Sequence, residues 1–484
     1  MSDTVIDEQT PLLDRKQRKA TPLPKLQIAI ILLLQVCEPL TSQSIYPYIN
    51  QLVSELDITG GDKRKVGYYA GLIESLFFAT EALTVLQWSR VSDHVGRKPV
   101  MLIGLFGMMI SMLCFGLSRN FTALIVSRCL TGLLNGNIGV MKSVMGELTD
   151  STNRAEGFAL MPVVWGLGAT LGPFIGGSLS RPHERFPNVF SGSFWKAYPY
   201  FLPCVATSGF VMIAFTTALI FFKETVPKKQ SSKHRSADPA DSMLMSDDSS
   251  PRLDAPLPLR DVLTYPVVLS VSNYVALAFL NISISALLPL FLAMPLSVGG
   301  LGFSPATIGY IIGSYGAASG IFQALYFSKI VRCFGERRVY ICAISTMAPV
   351  FLLLPIISLL ARQWGLSPIV WVFIVFLLVL LSLLDMAYGC IFMFITASAP
   401  NRRSLGATNG LSQTTVSIAR AIGPAMSTSL FSFSVERNIL GGYGVYAFFC
   451  TLSVLAIILA SRLPKHVWDH QDFLDGHKGD HHDI

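Results

Sequence analysis

The sequence predicts an all-α membrane protein of twelve transmembrane helices, arranged as two six-helix halves. Three observations carry this. Of the 484 residues 51% are hydrophobic and only 14% are charged, a balance outside that of soluble domains. Apolar runs long enough to cross a bilayer occur at 26–47, 66–88, 99–118, 121–144, 157–180, 198–222, 266–293, 306–330, 339–361, 367–396, 405–433 and 441–461. Between the sixth and seventh runs the composition turns to Ser, Asp, Lys and Pro, which buries too little apolar surface to fold. The chain divides accordingly into a tail (1–25), a first half (26–222), a disordered linker (223–265), a second half (266–461) and a second tail (462–484).

The first run follows Arg15-Lys16-Gln17-Arg18-Lys19, with no small-residue cleavage site behind it, so no cleaved signal peptide is expected. Counting from a cytoplasmic N-terminus places Arg97-Lys98, Lys228-Lys229, Arg337-Arg338 and Arg402-Arg403 on the cytoplasmic side, as the bias of basic loops requires. Both termini then face the cytosol. These loops account for the net charge of +7, and no basic stripe lies elsewhere to suggest nucleic acid. The eight cysteines have neither a disulfide framework nor metal-ligand spacing and read as small packing residues. No metal or cofactor is expected.

The turn between the second and third runs is the most specific motif. Ser89-Arg90-Val91-Ser92-Asp93-His94-Val95-Gly96-Arg97-Lys98 gives an acid to accept hydrogen bonds at a helix end, a Gly able to take positive φ, and two cations to face the anionic leaflet. The order resembles the loop between helices 2 and 3 of the major facilitator superfamily, G-x-x-x-D-R-x-G-R-K, with Ser89 for Gly and His94 for a permanent cation. The resemblance implies a carrier in which Ser89, Asp93, Gly96, Arg97 and Lys98 form a cytoplasmic gating motif. The second half carries a degenerate copy, Ser328 to Arg338, with Arg332 in place of the acid. Asn153-Arg154 before Gly172-Pro173 is echoed by Asn401-Arg402 before Gly423-Pro424. Parallel repeats of this kind imply two halves around a central cavity and alternating access.

Two further segments extend the resemblance. Arg128-Cys-Leu-Thr-Gly132-Leu-Leu-Asn-Gly136 in the fourth run is similar to the family's R-x-x-x-G-x-x-x-G, which implies a proton-relay or gating role for Arg128; the alternative is a snorkelling cation. Gly168, Gly172, Pro173, Gly176 and Gly177 in the fifth run resemble the antiporter segment of the drug:proton branch. Glycines four apart allow close helix approach, and Pro bends the helix. Cys37-Glu38-Pro39 and Ile45-Tyr46-Pro47 resemble a zinc-induced-facilitator-like group, without the Cys-rich and His-rich loops of its plant members.

Ionisable residues inside membrane spans are costly and therefore candidates for function. They are Glu38, Glu74, Glu81, Arg128, Asp385 and Arg420. Glu38 is expected roughly 18 Å into the first span at 1.5 Å per residue. Glu74 and Glu81 share a helical face and could form a pathway stripe, with a place near the outer headgroups as the alternative for Glu74. A carboxylate moved between an apolar and a basic environment takes up and releases a proton, so Glu38 and Glu81 are proton-coupling candidates; Arg420 as their basic partner and Arg128, from the resemblance, complete the set. Static ion pairs are the competing reading. Arg420 is expected to pair with Glu38 or Glu81, or to bind substrate, and Asp385 to form a cap or salt bridge near the inner end of the tenth span. Gln43, Asn137, Asn281, Asn409 and Gln413 are substrate-cavity candidates, with hydrogen bonding across helices as the alternative. Glu8, Leu12 and Leu13 fit an acidic dileucine signal for a sorting adaptor, pointing to a vacuolar membrane or else the plasma membrane.

The expectation is a secondary active transporter, a proton-coupled antiporter of a small organic solute. A proton symporter or uniporter exporting nutrients from a vacuole is the alternative, and a solute receptor a further one. No Gly-x-x-x-x-Gly-Lys-Ser/Thr loop or catalytic constellation suggests an ATP-driven pump or an enzyme.

Overall fold

The computed structural model describes residues 22–149, 153–225, 262–400 and 405–465. The sorting motif at Glu8, Leu12 and Leu13, and most of the linker, lie outside them. Helices cover Lys25–Gln43, Val66–Val95, Arg97–Gly116, Phe121–Leu134 with Asn137–Leu148, Arg154–Leu179 and Phe201–Phe221 in the first half. They cover Tyr265–Ala293, Pro305–Phe334, Glu336–Ser345 with Met347–Trp364, Pro368–Leu384 with Met386–Ser398, Leu405–Glu436 and Gly444–Ser461 in the second. These are numbered below as spans 1 to 12 in chain order. By length and composition eight helical segments among the described residues, or nine with the bent segment from Lys63 to Val95, would cross a membrane unaided.

Spans 4 and 10 are each interrupted near their middle, at Asn135-Gly136 and at Asp385. Both halves turn in the same way between their second and third spans: Gly96 has φ 113° and Gly335 φ 80°, values that only a residue without Cβ adopts at little cost. Asn120 starts span 4 by accepting the Ala123 N–H at 2.8 Å, and Ser304 starts span 8 with Pro305 in the first turn.

The halves meet along two seams, span 2 on span 11 and span 5 on span 8. Small residues make both. A methyl on Gly67 would come within 2.5 Å of Ser432 Oγ, and one on Gly177 within 2.8 Å of Gly309 Cα. The span 5/8 seam continues through Phe174 against Gly313 and Thr170 against Gly316, and stops at Gly166 and Gly320, which face open space. The span 2/11 seam stops likewise, with Ile418 and Ile422 about half exposed. Both seams are therefore shut at the end opposite the Ser89–Lys98 turn and part toward the turn end.

The apolar cores follow this closure. One is built wholly from the first half, through residues such as Ile31, Leu34, Met101, Met141 and Val211. The other fills the second half and reaches into the first only near the shut end, through Tyr48, Val53, Val66, Ile73 and their neighbours.

Candidate functional site

At the turn end, Arg97 is the centre of a polar knot. Its guanidinium meets Asp93 at 2.6 Å and Glu147, at the end of span 4, at 2.8 Å. It also donates to Ser92 Oγ. Glu224 caps the start of span 3 by accepting the N–H groups of Arg97 and Lys98 at 2.9 and 3.0 Å, and Thr225 donates to Glu147. Arg97 is only 7% exposed, so it does not face the leaflet as its position in the loop suggests. Lys98 Nζ donates to the Phe222 carbonyl at 2.8 Å. Ser89 only accepts from Ser92 through its carbonyl, and His94 bonds back to the Arg90 carbonyl of its own helix. The partners Glu147 and Glu224 are far from the motif in sequence and carry no signal in it. Gly96→Ala must hold φ 113° and bring Cβ within 2.6 Å of Glu224; it is expected to cost about 1–3 kcal/mol and to lower the thermal unfolding midpoint in detergent.

Further into the bundle, glycines bring span 4 onto span 2. Gly132 lies against Thr80 and Phe77, and Gly136 against Trp88, with no room for a Cβ at either. This sets the register of two acid contacts. Arg128 donates to Glu74 at 3.0 Å, and Tyr46 donates to the other Glu74 oxygen at 2.7 Å. Arg128 is 1% and Glu74 7% exposed, and the guanidinium carbon lies 4.7 Å from the centre of the Phe77 ring. Arg128 therefore does not snorkel to water: it and Glu74 form a buried pair between spans 2 and 4. Two turns further, Asn135 at the break of span 4 donates to Glu81 at 2.8 Å.

In the middle of the bundle four charges face one another. Glu38 of span 1 lies within electrostatic reach of Arg420 and Lys142, and Glu81 within reach of Glu38 and Arg420. Tyr274 and Tyr388 also face Arg420. Arg420 thus stands opposite both carboxylates, across the interface of the halves. Lys142 is missing from the sequence-derived set. It lies near the end of an apolar run, and only the break at Asn135-Gly136 shows that a second helix carries it inward.

The antiporter-like segment is a packing surface. Gly168 lies against Pro39, Gly172 against the Leu40 carbonyl and Gly176 against that of Ser44, so span 5 rides directly on the stretch of span 1 that follows Glu38. Pro173 and Gly177 turn instead to Gly309 of span 8.

The polar candidates scatter. Asn137 is buried with its side chain against Gly104 of span 3. Gln43, Asn281 and Gln413 are half-buried and Asn409 is exposed. Asp385 is neither near a span end nor in a salt bridge. It occupies the break of span 10 and accepts from Tyr315 at 2.8 Å and Ser319 at 2.6 Å, both on span 8. Among the described residues no group of His, Cys, Asp and Glu has the arrangement of a metal site.

Residues 31–424 match the major facilitator superfamily. The chain is 31% identical to the major facilitator-type transporter psiT2 of Psilocybe cyanescens, covering 90% of each protein. It is 28% identical to the multidrug transporter mfsB of Aspergillus fumigatus over 88% of this chain and 80% of that one. Identity to zinc induced facilitator 1 of Arabidopsis thaliana is 27%, over 90% of each. The fold is similar to that of the human organic anion transporter MFSD10, with a TM-score of 0.60 at 20% identity, covering 91% of this chain and 100% of that one. With its two helical halves, the Asp93–Arg97 turn and a family match across most of its length, this chain belongs to the major facilitator superfamily and is a membrane transporter of that family.

Proposed function

We propose that this transporter exchanges protons for a small organic solute by alternating access, with Glu38 and Glu81 as proton carriers. The observation that carries the reading is the central cluster of Glu38, Glu81, Lys142 and Arg420. A lone charge at membrane depth costs about 2.5–3.5 kcal/mol or more. Two acids and two bases balance one another when both acids are ionised. Protonating either carboxylate removes its attraction to Arg420, which sits on the other half, so proton binding and the separation of the halves are coupled. A cationic or polar solute that takes the place of the proton on the carboxylates gives exchange. The relative named as a multidrug transporter fits this direction. On the loop-charge argument the turn end faces the cytosol, and the parted seams then describe a carrier open to that side. Its membrane is vacuolar or plasma.

A second reading rests on Lys142, whose side chain is exposed. When the acids are protonated, Lys142 and Arg420 are left to attract an anionic solute, and solute and protons then move together.

The test is transport in proteoliposomes of the purified protein, with solutes screened for movement of lumenal pH and wild type compared with Glu38→Gln. Opposed proton and solute movement in wild type, abolished in Glu38→Gln, supports exchange, and parallel movement supports symport. Solute flux with no proton movement makes the protein a uniporter and removes the role of Glu38. Arg420→Gln is expected to flatten the pH dependence of transport while solute exchange across the membrane continues. An unchanged pH profile would sink the pairing of Arg420 with the carboxylates.

A further inference from the structure

We propose that Asp385 forms a second proton-binding site, in the half of the transporter that lacks Glu38 and Glu81. The proposal rests on the reading of this carrier as proton-coupled, but on different residues. Spans 4 and 10 are broken at corresponding places, Asn135-Gly136 and Asp385. Each break faces the second span of its own half. In the first half the break supplies the amide of Asn135 and span 2 supplies the acid, Glu81, at 2.8 Å. In the second half the break supplies the acid and span 8 supplies the hydroxyls of Tyr315 and Ser319, at 2.8 and 2.6 Å. Aligned on the turn glycines Gly96 and Gly335, Thr80 and Glu81 correspond to Ser319 and Gly320. The two contacts lie at neighbouring rather than identical positions, Ser319 matching Thr80 and Gly320 matching Glu81, with the acid on the opposite helix of the pair.

The surroundings of Asp385 differ from those of a structural ion pair. Glu74 is neutralised by Arg128 at 3.0 Å, whereas the groups that act on Asp385 are the neutral hydroxyls of Tyr315 and Ser319. Both hydroxyls converge on Oδ2, which leaves Oδ1 to take a proton. The residue is half-buried, so a proton can reach it from the interior. Tyr388, on the same span, faces Asp385 on one side and Arg420 and Tyr274 on the other. Tyr340 of span 9 stands behind Tyr388. The only cation in this set is therefore Arg420, one tyrosine away, and it connects Asp385 to the central carboxylates. An uncompensated carboxylate at membrane depth is costly and its neutral acid is not, so the site exchanges a proton when its access to water changes.

The experiment needs no solute. Infrared difference spectra of the purified protein are recorded as the pH is stepped between about 5 and 8, a range that buried carboxyl groups of folded proteins reach. A band from a protonated carboxyl group, present in wild type and absent in Asp385→Asn, is the expected result, and Asp385→Glu should restore a shifted band. Spectra of Asp385→Asn identical to wild type across the range would overturn the proposal. If Asp385→Asn does not fold, wild-type protein is treated with dicyclohexylcarbodiimide, which adds to protonated carboxyl groups in apolar surroundings. Modification of Asp385 that falls with rising pH, read by peptide mass, supports the site, and its absence at every pH overturns it. Glu38→Gln and Glu81→Gln in the same assay separate the two readings. If they leave the spectrum unchanged and Asp385→Asn alters it, the central carboxylates fail as proton carriers and Asp385 stands.

Discussion

Arg128→Met is expected to destabilise the protein more than any other single change at the sites described, by about 3–5 kcal/mol, because it leaves the Glu74 carboxylate charged and uncompensated inside the bundle. Arg128 is 1% exposed, donates to Glu74 at 3.0 Å and packs over the Phe77 ring. Tyr46 supplies Glu74 with one neutral donor at 2.7 Å, which does not replace a positive charge. The double variant Glu74→Gln with Arg128→Met removes both charges and is expected to recover much of the loss, since swapping a whole buried pair for neutral groups is often close to neutral. Thermal unfolding of wild type, both single variants and the double variant forms a cycle that isolates the pair. Equal unfolding midpoints for Arg128→Met and wild type would mean that Glu74 is already neutral and that the pair is not what holds spans 2 and 4 together.

Gly177→Leu is expected to act on the transport cycle more than on the fold. A Cβ there comes within 2.6 Å of the Pro305 carbonyl and 2.8 Å of Gly309 Cα, both backbone atoms of the other half. Overpacking of this kind typically costs about 1–3 kcal/mol, and here the cost falls only on the state in which the seam is shut. That corresponds to a shift of roughly 5- to 150-fold in the balance of states toward a carrier open at the end now closed. Labelling of an introduced cysteine near Ser178 by a membrane-impermeant thiol reagent should accelerate from that side, and net transport should fall. Unchanged labelling would show that span 8 yields without opening the seam.

The fold was legible because membrane depth imposes one apolar length on every span, and the turn glycines Gly96 and Gly335 sit where two such runs must reverse. Motif spacing also located Arg97, Arg128 and the glycines of span 5. What each of them touches was not legible. Glu74 and Arg128 are separated by 54 residues, and nothing in either segment sets the register that Gly132 and Gly136 impose when span 4 packs on span 2. Lys142 was passed over although the fourth run, 121–144, contains it, because a Lys two residues from the end of a run reads as a boundary cation. Asp385 was assigned to a span end although its run, 367–396, already continued well beyond it; a continuous apolar run does not show the interruption that the residue occupies. Asn137 was read as a cavity residue from polarity alone, but its side chain sits against Gly104.

The shut seam between spans 2 and 11 contains one bond of a different kind. Ser75 Oγ accepts the main-chain N–H of Ala425 at 2.8 Å, one residue beyond Pro424, which has no N–H of its own. When the halves separate here, this bond between the two halves is lost, and a hydrogen bond of this kind contributes about 0.5–1.5 kcal/mol net. Opening to that side therefore begins by breaking a directional bond between side chain and main chain as well as apolar contacts. Because the clasp is made by backbone and by residues without long side chains, changes to the polar groups around Arg420 leave its energy untouched. Selectivity for the solute and the threshold for opening can then vary independently.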